Sequence, residues 1–189
     1  VPKKEYKRIV SMGNRGSDGK GPLKEIDGDE VSPSRYPKEK LTNFSGGGGL
    51  FSTPSDFTKI LQCVLNYGSY KDQRILKKET VQLMMLNHIG DISLNIEGWH
   101  YDPATCCNFN GLMDKDSKWG LATLIDNTPE SYGRKKGALV WGGYRNTYFY
   151  IDHKSGIAAS IYSQHLPFNH SSTISLFEKF SEIFYKNFK

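Results

Sequence analysis

The residues best placed to do chemistry lie in the run 138–152 (ALVWGGYRNTYFYID), where Gly142 and Gly143 follow Trp141 and precede Tyr144, Arg145, Asn146 and Thr147. The flanks are rich in aromatic and β-branched residues and read as strand. A strand keeps glycine where another backbone or a ligand comes close. The pair therefore points to a strand whose edge lies against something small, although a bulge in an ordinary sheet satisfies the spacing alone equally well. A second candidate is the glycine run ending at Gly46, Gly47, Gly48 and Gly49. Glycine loops entering a helix bind phosphate, but that chemistry needs a Gly-Lys-Ser/Thr afterwards and a strand before, and neither is present. His88, His100, His153, His165 and His170 are scattered, and Cys63, Cys106 and Cys107 do not pair with them at zinc spacing, so no metal or cofactor is expected.

The order of motifs is more telling than any one of them. The run 45–57 (SGGGGLFSTPSDF) leads into an amphipathic helix, then come 66–76 (NYGSYKDQRIL), 78–84 (KETVQLM) and finally Trp141, Gly142 and Gly143. This order resembles the serine β-lactamase-like superfamily, in its class C, carboxylesterase and fungal transesterase branch, over nearly the whole chain but matching only the C-terminal half of such an enzyme. The resemblance implies an α/β (α+β) β-lactamase/transpeptidase-like fold, an antiparallel sheet flanked by helices. It also implies acyl transfer through an acyl-serine intermediate.

In that family a Ser-x-x-Lys supplies nucleophile and base, and a Tyr-x-Asn-like motif a second proton-transfer group. Ser17 and Lys20 have the first spacing but sit in a solvated turn with no apolar helix behind them, and a nucleophile needs a rigid mount. Tyr185 and Asn187 have the second spacing at the fraying end of the last helix. The catalytic serine is thus expected upstream, in an N-terminal half of the same enzyme. What the resemblance assigns to this chain is the backbone N–H of Tyr144 as an oxyanion donor. Trp141, Gly142 and Gly143 are assigned as the substrate-facing strand, and Trp99, Tyr101 and Phe109 as acyl-pocket residues on a cleft loop. Trp141 stands where penicillin-recognising enzymes carry a Lys, and an apolar wall in place of a cation favours esters or thioesters of hydrophobic acyl groups over β-lactams. Two other readings are a non-catalytic remnant that binds or scaffolds, and a β-lactamase or D-peptidase.

Composition fits part of a soluble enzyme. Hydrophobic residues make up 37% and aromatic residues 13%, which excludes a disordered chain. The net charge of +5 is spread along the sequence rather than gathered in a stripe, so a nucleic-acid partner is not expected. No apolar run approaches the roughly 18 residues needed to span a membrane. Sequons at Asn43 and Asn169 leave the compartment open, with the cytoplasm favoured over secretion.

The expected organisation is one C-terminal domain portion over 1–189. Residues 1–45 form flanking turns with small strands at 6–12 and 23–26. Residues 46–90 are helical, 91–118 form the cleft loop, and 119–189 hold sheet strands and a final helix. Thr53 caps the first helix with Pro54 and Asp56 behind it, its apolar face is Phe57, Ile60, Leu61, Val64 and Leu65, and Gly68 stops it. A second helix at 78–87 buries Val81, Met84 and Met85. Three strands are expected, at 119–125, 138–151 and 157–163, with a hairpin loop at 152–156. The last helix, 171–187, is expected to bury Leu176, Phe177, Phe180, Ile183 and Phe184.

Overall fold

The computed structural model of the chain describes residues 1–26, 46–94, 102–128 and 132–187. Trp99, Tyr101 and the Asn43 sequon lie outside the described residues. After a short 3-10 helix at Lys3–Arg8 come β1 Met12–Asn14 and β2 Lys24–Ile26, an antiparallel pair. The expected strand at 6–12 is thus displaced, because the charged residues at its start coil as a 3-10 turn.

Helix α1 spans Pro54–Leu65. Thr53 Oγ1 accepts from the Asp56 N–H at 3.1 Å and donates to the Asp56 carboxylate at 2.9 Å, so the expected cap is formed. The helix ends in a left-handed pair, Tyr67 and Gly68. A Cβ on Gly68 would lie 2.2 Å from the Leu76 carbonyl oxygen, which is why glycine stands there. A two-strand ribbon, β3 Ser69–Tyr70 with β4 Gln73–Arg74, leads to α2 at Lys78–Met84. Lys77 contributes no side-chain cap, and α2 is three residues shorter than expected.

The remaining strands form one antiparallel meander in chain order: β5 Lys118–Trp119, β6 Leu124–Asp126, β7 Ala138–Gly143, β8 Thr147–Asp152 and β9 Ile157–Ile161. Five strands thus replace the three expected, because two of those three expected strands are folded back on themselves. The 119–125 run turns at 120–123. The 138–151 run turns at 144–146, where Asn146 adopts φ +64° and its N–H closes on the Gly143 carbonyl at 2.9 Å. A three-residue hairpin loop wants a left-handed residue at its end, and Asn accepts that conformation more readily than most residues.

Both faces of the sheet are covered, as the unbroken apolar run of β8 requires. Phe149 and Ile151 join Leu61, Val64 and Val81 of α1 and α2 in one core. Tyr148 and Tyr150 join Ile174 and Phe177 of α3, Ser171–Asn187, in the other. Helix α3 has the expected span but not the expected face. Its buried stripe is Thr173, Ile174, Phe177 and Ser181, while Leu176 and Ile183 are about 60% exposed. The rotation follows from Arg134, which reaches Ser181 Oγ at 3.1 Å and stacks over Phe177 and Tyr150 while paired with Asp126 at 3.3 Å. A buried charge needs those partners, and they fix which stripe turns inward. Among the described residues, no helix is long and apolar enough to cross a membrane.

Candidate active site

Trp141, Gly142 and Gly143 end β7, and Tyr144 opens its turn, so the four residues are contiguous on one hairpin. The two glycines serve different ends. A Cβ on Gly142 would stand 2.6 Å from Cδ1 of Tyr148, its cross-strand partner. What approaches Gly142 is thus the Tyr148 ring, which corrects the expectation that both glycines clear space for substrate. At Gly143 a Cβ would meet nothing nearer than 3.8 Å, so that position is open and exposed. Trp141 is half-buried and meets Trp119 of β5 edge to face, with centroids 4.5 Å apart. Together the two indoles form an apolar wall beside the open glycine.

Tyr144 is half-exposed, and its N–H has no hydrogen-bond partner among the described residues. The rest of its turn is tied down from behind. Ser163 Oγ donates to the carbonyls of Arg145 and Asn146, at 3.1 and 2.8 Å, and the His165 N–H also donates to Arg145 O. The Asn146 side chain is fully buried. Its amide nitrogen donates to the carbonyls of His165 and Pro167 at 2.9 and 2.7 Å, and its oxygen accepts from Tyr148 Oη at 2.8 Å and from the His170 N–H. Burial pushes the Tyr148 phenol well above its ordinary value, so it stays protonated and able to donate. His165, whose Nε2 meets Thr173 Oγ1 at 2.9 Å, is held below its ordinary value by burial, with the Arg15 charge acting in the same direction.

Phe109 lies elsewhere. It packs against the core on the α3 side, edge to face with Phe168, as an anchor of its loop. Ser17 and Lys20 are exposed in a turn, as expected of a chance Ser-x-x-Lys match. A cavity of about 580 Å³ opens between Asp18, Lys20, Cys106, Cys107 and His170, and neither Trp141 nor Tyr144 lines it. It lacks an activated nucleophile: burial raises both thiols, and His170 Nδ1 is engaged with Ser172 Oγ at 2.7 Å. Asn169, acceptor of the second sequon, is buried, and its amide donates to the carbonyls of Asn108 and Asn110.

Sequence reasoning missed the support beneath the turn. Asn146 carried a readable signal, an Asn between two strand-like runs. Ser163 and His165 carried none, since they reach the turn only through tertiary folding.

The antiparallel meander between two helical layers, closed by a long helix on one face, is the fold of the β-lactamase and transpeptidase-like proteins, in the C-terminal portion that the motifs implied. Simvastatin synthase (LovD) of Aspergillus terreus, unliganded, shares it with a TM-score of 0.73 at 24% identity, over 98% of this chain and 44% of that one. EstCE1, a hydrolase with promiscuous acyltransferase activity, shares it with a TM-score of 0.52 at 15% identity, over 91% and 39%. In sequence, the chain is 28% identical over 149 residues to monacolin J acid methylbutanoyltransferase of Aspergillus terreus, covering 76% of this chain and 35% of the relative. The chain thus spans about a third of the length of that relative. No protein-family model matches it.

Proposed function

We propose that this chain is the C-terminal part of a serine-dependent enzyme that transfers or hydrolyses acyl groups from esters or thioesters. The serine and its lysine come from an N-terminal half. The chain's own contribution is the β7 edge. In acyl transfer, negative charge grows on the carbonyl oxygen, and a fixed backbone N–H aimed there stabilises the transition state more than the substrate. The Tyr144 N–H is that donor, Gly143 leaves room for the bound acyl group, and Trp141 with Trp119 walls the site with apolar surface. The observation that carries this reading is an N–H without a partner among the described residues, on a turn whose Arg145 and Asn146 carbonyls and Asn146 N–H are all engaged, beside an open glycine. The likeness to acyltransferases supports it. That relative's name specifies a methylbutanoyl group; only the wider class, an acyl ester or thioester, is carried over. Trp99 and Tyr101 are proposed to tune acyl length, whereas Phe109 anchors its loop in the core.

A second reading, a non-catalytic remnant that binds or scaffolds, is favoured by one observation: the Ser17–Lys20 match is a solvent-exposed turn. One experiment separates them. In a protein joining this chain to an upstream Ser-x-x-Lys, Gly143→Val is expected to lower p-nitrophenyl ester turnover about a hundredfold to a thousandfold, the usual cost of an oxyanion donor. Wild-type-like turnover rejects the assignment of β7. Trp141→Lys in the same protein should move preference towards carboxylate-bearing β-lactams or D-peptides.

A further inference from the structure

Resting on that reading of β7, we propose that Asn146 is a positioning residue for the reaction: it holds the turn that presents the Tyr144 N–H. A hairpin loop is ordinarily among the more mobile parts of a fold. Here one side chain converts the loop into a fixed mount. Asn146 has a left-handed backbone, φ +64°, and a side chain with no exposed surface. An amide offers two donors and two acceptor lone pairs, and Asn146 fills all four: carbonyls of His165 and Pro167 on its nitrogen, Tyr148 Oη and the His170 N–H on its oxygen. These partners come from β8 and from the 165–170 segment that leads into α3, so the loop is fastened to two separate elements. Its backbone is fastened too, by N–H to Gly143 O and C=O to Ser163 Oγ.

The chemistry of the side chain matters as much as its size. Asp has the same shape but presents acceptors where the His165 and Pro167 carbonyls need donors, so two buried acceptors would face a third. Gly keeps the left-handed backbone and removes all four anchors. Either change leaves Tyr144 in place in sequence while freeing its N–H to wander, and small misplacements of a reacting group are expensive. Tyr144 itself does not touch Asn146 through its side chain in any bond described, so the effect travels through the loop backbone.

The test uses the complete enzyme, this chain joined to its upstream serine-bearing half. In Asn146→Gly the backbone order parameter of Tyr144 should fall from a rigid value of about 0.85 towards about 0.6. The same variant should lose about 10- to 100-fold in kcat with KM within about twofold. Asn146→Asp should act in the same direction if it folds. Ser163→Ala removes only the two backbone latches at 3.1 and 2.8 Å, and is expected to show a smaller loss of the same kind. A folded Asn146→Gly or Ser163→Ala enzyme with an unchanged order parameter at Tyr144 overturns the proposal. So does an unchanged kcat in an enzyme that Gly143→Val does impair. If Gly143→Val leaves turnover intact, the reading of β7 fails instead, and the order parameter alone then decides whether Asn146 holds the turn.

Discussion

Adjacent glycines answer to different constraints, and substitution should tell them apart. At Gly142 any side chain must displace the Tyr148 ring, whose hydroxyl is bound to Asn146. Gly142→Val is therefore expected to destabilise by about 1–3 kcal/mol, as overpacking does. Gly143→Val has room and should melt near the wild-type temperature while losing turnover. Thermal denaturation of the two variants side by side checks this, and a Gly143→Val protein that melts as low as Gly142→Val would contradict it. The sequence showed that these glycines were special and not why. The reason at Gly142 is a ring six positions away, brought over by a hairpin that the unbroken apolar run concealed. The motif singles out Trp141 and Tyr144 as candidates, whereas nothing singles out Ser163 and His165, because a serine or histidine beyond a strand has no local pattern that marks it as a latch.

Elements with strong local signals read correctly. The Thr53 cap, the Pro54 start and the amphipathic period of α1 all lie within one stretch of chain; cap and start formed as expected, and of the expected face Leu61 and Val64 are buried while Ile60 is exposed. The face of α3 did not, because its outer stripe of Leu176, Phe180 and Ile183 is as apolar as the inner one and the choice was made by Arg134. Asp126 and Arg134 are both almost wholly buried, with Thr128 also donating to the carboxylate. Removing one partner strands a charge in the core. Arg134→Met is expected to cost about 3–5 kcal/mol in chemical denaturation, and the double variant Asp126→Asn/Arg134→Met less than the single one. A single variant as stable as the parent would show that Ser181 and the stacked rings, not the ion pair, orient the helix. Asp152 plays a similar part at the far end. Burial alone would raise its carboxyl, yet the Lys135 and Ser155 N–H groups and Tyr185 Oη hold it below the ordinary value.

At the scale of the molecule, the folded surface keeps apolar faces that invite covering. Leu176 and Ile183 stand out from α3, Leu83 and Leu86 from the region of α2, and Ile60 from α1. We expect an N-terminal half to cover part of this surface. The 189 residues alone should then self-associate or melt without cooperativity, and a monodisperse monomer with a sharp transition in sedimentation and calorimetry would count against it. Acid should loosen the same body. His165 and His170 both bind protons less readily than in an unfolded chain, whose value is 6.5, through burial and, with it, the Arg15 charge. A depressed histidine contributes its stability in full above that value and loses it as pH falls below it, since the unfolded chain then binds more protons. The melting temperature should decline between about pH 7 and pH 5, and His165→Asn should flatten that slope. An identical slope would remove His165 from the account.

The placement of Asn169 governs the order in which this polypeptide can be made. Its nitrogen, the atom to which an oligosaccharide would be attached, is spent on two carbonyls inside the fold, and the strand-like join of Cys106 to Phe168 closes beside it. A sugar added to the nascent chain would occupy the space that the loop must fill. Decoration at this position and formation of this architecture are therefore mutually exclusive outcomes of synthesis, and whichever happens first forbids the other.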